Sequence, residues 1–288
     1  MFEFNETLDE ARGRNIGEAL AEDIGRGDWT ALLVPAGQRV RARVIARERA
    51  VLCGRAWFDG CVQRLDPSAR LDWALGDGAW TAADAEVVAI ESDARALLSA
   101  ERPALNFLQL LSGTATITRE HVDAIAGASP NPRGCAVLDT RKTIPGLRLA
   151  QKYAVRVGGG SNQRLALYDG ILIKENHIAA AGGIPQVLAA ARALDAGVSI
   201  QIEVESLAQL RQALDHGAAS VLLDNFDLPR MREAVAINAG RALLEVSGSV
   251  RLDQMREIAA TGVDRISVGR LTKDVRAVDF SLRVLGPA

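Results

Sequence analysis

Between Asp139 and His177 the chain reads DTRKTIPGLRLAQKYAVRVGGGSNQRLALYDGILIKENH. From Thr140 to Lys174 this stretch carries seven basic residues (Arg141, Lys142, Arg148, Lys152, Arg156, Arg164, Lys174) and one acidic residue, Asp169. The net charge of the whole chain is −2, so the positive excess is local. A solvated helix face would mix charges of both signs along its length. Here Arg141-Lys142 follow the apolar run Cys135–Leu138, and Lys174 follows Ile171-Leu172-Ile173. Cations just past strand-like segments stand where α/β proteins keep their ligands. The chemistry they suit is capture of carboxylates or phosphates, bidentate for arginine and as a point charge for lysine.

Further along, other strand-like segments end on chemically distinct groups: Glu203 with Glu205, Asp224-Asn225, Ser247-Gly248-Ser249 and Val268-Gly269-Arg270. Glu203 and Asp224 are hard oxygen donors, suited to Mg²⁺ on a polyphosphate or to ribose hydroxyls. The two small-residue loops after the last strands suit a phosphate held by backbone N–H groups. Cations first, carboxylates in the middle and a Ser/Gly loop last together suit a polyanionic substrate.

Other candidates in the same stretch have plainer explanations. Gly158-Gly159-Gly160 follows no strand and is no dinucleotide fingerprint. Lys152 and Arg156, one turn apart on a helix, fit solvated or paired surface charges. His121 and His216 fall in helices and read as structural, whereas His177 lies just past a strand end. Glu205 fits either a supporting carboxylate or a surface residue.

These residues need a scaffold, and the pattern from 135 to 270 supplies one. Short apolar segments (Ala136–Leu138, Gly170–Ile173, Val198–Val204, Ser220–Leu223, Ala242–Val246, Arg265–Val268) alternate with amphipathic helical segments. Such alternation implies parallel strands whose carboxyl ends converge on one mouth. Six units are legible. Residues 1–100 read differently, with charged and apolar residues alternating over Arg39–Ala46 and further strands at Leu71–Trp73 and Glu86–Ile90. That pattern predicts a separate small α/β sheet domain with one face in water. A long helical pattern follows over 94–126, interrupted near Ser112-Gly113, with Arg102 and Asn106 on one face.

Composition excludes other classes. The charged fraction is 24% and the aromatic fraction 4%, with near-neutral net charge, which argues against a nucleic-acid or membrane-surface binder. The three cysteines, Cys53, Cys61 and Cys135, are too scattered for a disulfide framework or a Cys-rich zinc site. The opening residues lack a basic segment leading into an apolar one, and no apolar run approaches the ~20 residues of a membrane span. A cytoplasmic location is the expectation.

Taken together, the motifs resemble the quinolinate phosphoribosyltransferase family, also called nicotinate-nucleotide pyrophosphorylase (carboxylating). The resemblance is carried by Glu22-Asp23, Gly27–Thr30, Glu101-Arg102, Asn106–Gln109, Ser112–Thr116, the whole 139–177 stretch, Glu203–Glu205, Leu223–Asn225, Ser247-Gly248 and Ser267–Gly269. It implies that quinolinate and phosphoribosyl pyrophosphate (PRPP) give nicotinate mononucleotide, pyrophosphate and CO₂. It also implies a seven-stranded incomplete α/β barrel with an N-terminal open-faced α/β sandwich domain. The sandwich domain would span 1–115 and be completed by 274–288, and the barrel would span 116–273. The resemblance further implies a homodimer in which Arg102 is contributed to the neighbouring active site. Positions matching quinolinate-binding residues are Arg141, Lys142, Arg164, Lys174 and, contributed across the dimer, Arg102; Thr140 is a further expected substrate-binding residue. On the PRPP and Mg²⁺ side stand Glu203 and Asp224, with Ser247, Gly248, Ser249, Val268, Gly269 and Arg270 around the 5′-phosphate. Lys142, Glu203 and Asp224 are the expected catalytic residues.

Three positions depart from the family pattern: Gln163 where many members have His, Ser249 where Gly is usual, and Arg270 where a small residue is. A Schiff-base aldolase or decarboxylase using Lys142 or Lys174 is a competing reading, and a catalytically silent anion-binding relative is another.

Overall fold

The computed structural model describes residues 6–288. Any reading of the first five residues, the absence of a leader included, lies outside the described residues. The chain divides into two compact units. One comprises the segments up to Arg119, Thr143–Gly159 and Thr272–Ala288, and the other comprises Glu120–Lys142 and Gly160–Leu271.

The first unit is built on an antiparallel sheet. Its strands are β1 (Arg39–Ala46), β2 (Ala50–Val51), β3 (Arg70–Trp73), β4 (Trp80–Thr81), β5 (Glu86–Asp93) and a final strand, Phe280–Pro287. The four-stranded sheet runs in the order final strand, β1, β5, β3, and β2 pairs separately with β4. In β1 the alternation expected from sequence is realised: Val40, Ala42 and Val44 are buried while Arg41 is exposed. Helices α1 (Leu8–Ile24), α2 (Arg55–Leu65) and α4 (Arg148–Val157) belong to this unit, as does α3 (Ala94–Ile125) up to Arg119. A Thr7/Glu10 capping box starts α1, with Thr7 N donating to Glu10 Oε2 at 2.8 Å. Trp57, Phe58, Leu97, Leu105, Leu108 and Leu111 fill the core. Phe58 meets Trp73 edge-on, with ring centroids 5.5 Å apart.

Helix α3 corrects one expectation: it runs unbroken for 32 residues through Ser112-Gly113. These residues resemble a break because they are small and polar, but each has a packing reason. A side chain on Gly113 would collide with the Arg276 carbonyl oxygen. The buried Ser112 hydroxyl accepts from Cys53 N at 3.0 Å and donates to Cys53 O at 3.1 Å, and Thr116 Oγ1 accepts from Val51 N at 2.9 Å. Lys152 of α4 is also buried, so it is not the solvated or paired surface charge expected, whereas Arg156 is exposed. Among the described residues the cysteines are free thiols. Cys53 and Cys61 are buried, and Cys135 is only half-buried.

The second unit holds β6 (Ala136–Leu138), β7 (Gly170–Ile173), β8 (Ser199–Val204), β9 (Ser220–Asp224), β10 (Leu243–Ser247) and β11 (Arg265–Ser267). They form one parallel sheet in the order β6-β11-β10-β9-β8-β7. The crossovers include α5 (Glu175–Ala181), α6 (Ile184–Ala193), α7 (Leu207–Asp215), α8 (Leu228–Asn238) and α9 (Met255–Ala259). Ser206 caps α7 and Asp227 caps α8, each accepting from a backbone N–H three residues on. Gly217, with φ of +73°, and Gly262, with φ of +95°, follow α7 and α9 in the left-handed conformation that ends a helix cheaply only at glycine. A seventh strand position contributes one parallel bridge, between Leu138 and Ser161. The barrel is therefore incomplete, with a seam between the Ser161 segment and β7.

Candidate active site

The strand-end residues singled out from sequence lie in the second unit, at the carboxyl ends of its strands, and Arg164 lies in the same unit on the segment that precedes β7. Parallel register explains why. Val204 is opposite Leu223, Asp224 opposite Ser247, and Ser267 opposite Leu138, so the chain leaves the sheet at one common edge. The six predicted strand ends thus converge as expected.

The cations gather at the seam side. Arg164 Nη1 donates to Gly170 O at 2.8 Å, reaching from the Ser161 segment to the start of β7. Burial, and then the neighbouring Arg141 guanidinium, push Arg164 below its ordinary value, as expected of two like charges sharing a partly desolvated site. The Lys142 side chain lies across Gly269, where a Cβ would meet its Cδ at 3.1 Å and its Nζ at 3.8 Å. The end of β6 and the end of β11 therefore meet through Lys142. Thr140 Oγ1 accepts from Lys142 N at 3.1 Å and shapes that turn.

Two carboxylates stand across from them. Lys174 Nζ lies 3.2 Å from Glu203 Oε2, with Glu203 largely enclosed and Lys174 half exposed. Burial raises the Glu203 carboxyl above its usual range, Lys174 opposes this, and the nearby Asp224 and Glu175 charges reinforce it. Asp224 Oδ2 accepts from Asn225 Nδ2 at 2.9 Å. Asn225 (φ +53°), Gly248 (φ +110°) and Ser249 (φ +40°) all adopt left-handed backbone. Gly248 is required there, since a side chain on it would strike the Asn225 amide oxygen. A cavity of about 620 Å³ is lined by Asn225, Ser247, Gly248 and Ser249. A smaller one of about 190 Å³ is lined by Glu175, Glu203 and Glu205. Val268 is buried, and Arg270 is exposed at the start of a short helix.

His177 acts within its own turn, where its Nδ1 accepts from Lys174 N at 3.0 Å and caps α5. Arg102 lies in the first unit, exposed on α3 with Asn106 on the same face. Sequence reasoning missed two buried polar residues, Gln201 and Glu245, which Gln163 links to the strand-end Asp139; all three are under 10% exposed. Gln163 N donates to Asp139 Oδ1 at 2.8 Å, and Gln163 Nε2 donates to Glu245 Oε2 at 2.7 Å. The available signal was a polar residue two positions before the strand-end polar residue, Gln201 before Glu203 and Glu245 before Ser247, inside otherwise apolar strands.

Comparison with known proteins agrees with this geometry. Residues 28–112 match the model for the N-terminal domain of quinolinate phosphoribosyl transferase, and residues 114–283 match that for its C-terminal domain. The nicotinate-nucleotide pyrophosphorylase (carboxylating) of Mycobacterium leprae is 41% identical over 277 residues, 93% of this chain and 95% of that protein. Its chloroplastic counterpart in Arabidopsis thaliana is 35% identical over 287 residues, 92% of this chain and 80% of that one. The structure of the nicotinate-nucleotide pyrophosphorylase from Francisella tularensis superposes with a TM-score of 0.91 at 43% identity, covering 97% of this chain and 98% of that one. With both domain models matched in order, and relatives and a solved structure aligned over nearly the whole length, this chain belongs to the quinolinate phosphoribosyltransferase family.

Proposed function

We propose how this site carries out the family reaction, transfer of the phosphoribosyl group of PRPP to the ring nitrogen of quinolinate with loss of the C2 carboxylate as CO₂. The observation that carries the assignment is the sorting of charge at one edge of the parallel sheet. Arg141, Lys142, Arg164 and Lys174 come from the β6 and β7 side, and Glu203 and Asp224 from β8 and β9. Thr140, Arg141, Arg164 and Lys174 bind the pyridine dicarboxylate. Two facing guanidiniums, uncomfortable with each other, are relieved by a dianion. Lys142 stands closest to the reacting centre and offsets charge on the departing pyrophosphate. The reaction needs no protein nucleophile: positioning aligns the ring nitrogen with the anomeric carbon, and the quaternised ring then accepts the electrons released on decarboxylation.

Glu203 and Asp224 are also the groups suited to Mg²⁺. The two carboxylates stand close enough for the Asp224 charge to act on Glu203, and as hard oxygen donors they would hold Mg²⁺ there. When bound, Mg²⁺ would supply charge neutralisation of the leaving group. Ser247, Gly248, Ser249, Val268, Gly269 and Arg270 cradle the 5′-phosphate. The left-handed backbone at Gly248 and Ser249 supports this, because such turns aim successive N–H groups at an anion.

The protein works as a homodimer with Arg102 reaching the neighbouring active site. Support comes from the α3 stripe itself. Ser99 Oγ donates to Asp28 Oδ2 at 2.8 Å and Arg95 Nε to Val34 O at 2.7 Å, fixing the 28–34 segment along the stripe that continues to Arg102 and Asn106. That segment exposes Trp29 (80%) and Leu33 (83%), large apolar groups that suit burial against a second copy. As folding domains we propose 1–115 with 274–288, and 116–273. The changeover of family models between 112 and 114 supports the first limit and the pairing of the final strand with β1 the second, although Thr143–Gly159 is grouped with the first compact unit. No helix among the described residues is long and apolar enough to cross a membrane. With three free thiols, the cytoplasm is the proposed compartment. The deciding assay is CO₂ release from quinolinate labelled at the C2 carboxylate. Release should require both PRPP and Mg²⁺, and wild-type protein that releases none under these conditions contradicts the assignment.

A further inference from the structure

The carboxylate of Glu245 is not explained by packing. Glu245 sits in the middle of β10, 1% exposed, between Leu244 and Val246, which are as buried, and in register with Leu222 of β9 on one side and Arg265 of β11 on the other. An apolar side chain of similar size is usually tolerated or favoured at such a position, because burying a carboxylate is costly unless every oxygen is paired. Here the pairing is partial. Glu245 Oε2 accepts from Gln163 Nε2 at 2.7 Å and from Gln201 Nε2 at 3.0 Å, whereas Oε1 is buried and makes no hydrogen bond among the described residues. Gln163 Nε2 also lies 3.2 Å from Gln201 Oε1, so the three side chains form one knot beneath the strand ends.

That knot leads to one substrate-binding residue. The Gln163 amide oxygen accepts from Arg164 N at 2.7 Å, while Asp139 holds the Gln163 backbone and accepts from Asn162 Nδ2 at 2.6 Å. With Nε2 tied to Glu245, the amide can present its oxygen only towards Arg164. We infer that Glu245 is a positioning residue for the quinolinate half of the site, acting through the Gln163 amide to fix the backbone from which Arg164 extends. The inference rests on the site assignment proposed above. It explains why a carboxylate stands where packing asks for leucine. It also explains why an uncharged Gln163 serves here: its role is to relay a hydrogen bond between Glu245 and Arg164.

The test compares Glu245→Leu, Glu245→Gln and Gln163→Leu, measuring KM for quinolinate and for PRPP separately, kcat, and Tm. Glu245→Leu and Gln163→Leu should each raise KM for quinolinate about tenfold, the size of one lost hydrogen bond to a charged group. KM for PRPP should stay within about twofold, and the double variant should be no worse than either single one. Glu245→Gln, whose carbonyl oxygen can accept both amide donors, should restore KM to within about twofold of wild type. An unchanged quinolinate KM in Glu245→Leu overturns the inference. So does a parallel rise in both KM values, or a Glu245→Gln variant as impaired as Glu245→Leu. Should Glu245→Leu fail to fold, Gln163→Leu decides by the same KM criterion. A wild-type protein that releases no CO₂ from quinolinate defeats the site assignment itself, before any variant is compared.

Discussion

At the scale of single residues, Lys142 and Glu203 carry the sharpest expectations. Lys142 is held over Gly269 by packing and by the Thr140 turn, so its ammonium has a defined place. Lys142→Ala should lower kcat by about 10³-fold, in the range seen when one preorganised charge-stabilising group is removed, and a near-normal kcat would refute its role. For Glu203 the sign of the pH effect follows from its surroundings. Burial raises the carboxyl and Lys174 partly reverses this, so the ionised form is lost on acidification at a pH above 4.5. The acid limb of kcat/KM should therefore lie above the ordinary carboxylate range. Lys174→Met, which removes the opposing charge, should move that limb to still higher pH, and a limb that stays put or moves down would contradict the assignment. Gln163→His extends the same logic. An imidazole placed beside the Glu245 carboxylate, which Gln163 Nε2 meets at 2.7 Å, would have its charged form favoured, so quinolinate affinity should become pH-dependent with a midpoint above the usual ~6.5. Pyridine-dicarboxylate KM measured across pH 6–9, flat in both proteins, would count against it.

Among the elements, the sheet of the first unit depends on a buried carboxylate at the end of α2. Asp66 is opposed by burial, yet Ser68 Oγ and N, Asp93 N and Ser92 Oγ donate to it at 2.6 to 2.9 Å and hold it well below its ordinary 3.8. A depressed folded-state value contributes stability that is present above pH ~4 and lost as the pH falls below it. Asp66→Asn should cost about 2 kcal/mol at neutral pH by leaving donors mispaired, and its deficit against wild type should shrink in urea melts run towards pH 3. Helix α3 shows why element limits are hard to read locally. The small residues at 112–116 look like a break, but their hydroxyls bond to the β2 segment and Gly113 admits the Arg276 carbonyl. Both partners are distant in sequence.

For the whole molecule, the decisive expectation concerns two copies. If Arg102 serves the site of its partner, Arg102→Ala and Lys142→Ala are each inactive alone but complementary when mixed. After subunit exchange at equal amounts, about a quarter of all sites regain both residues, as dimer statistics require. Activity that stays at the level of the separate variants after exchange would place Arg102 in its own subunit's chemistry or outside catalysis.

Taken by itself, the sequence determined what repeats or clusters locally. The strand–helix alternation over 135–270, the cations after the first two barrel strands and the carboxylates after the next two are all legible, because strand ends must be polar and parallel strands must share an edge. The motifs of the 139–177 stretch identified the family for the same reason, being contiguous. Tertiary structure alone decided how the buried polar residues pair. Gln201 and Glu245 are 44 positions apart and Gln163 and Glu245 are 82, and only adjacency within the barrel brings an interior glutamate to the amide beside Arg164. It also decided that Lys152 is buried. Burial and hydrogen-bond partners depend on elements remote in the chain, and no local spacing encodes them.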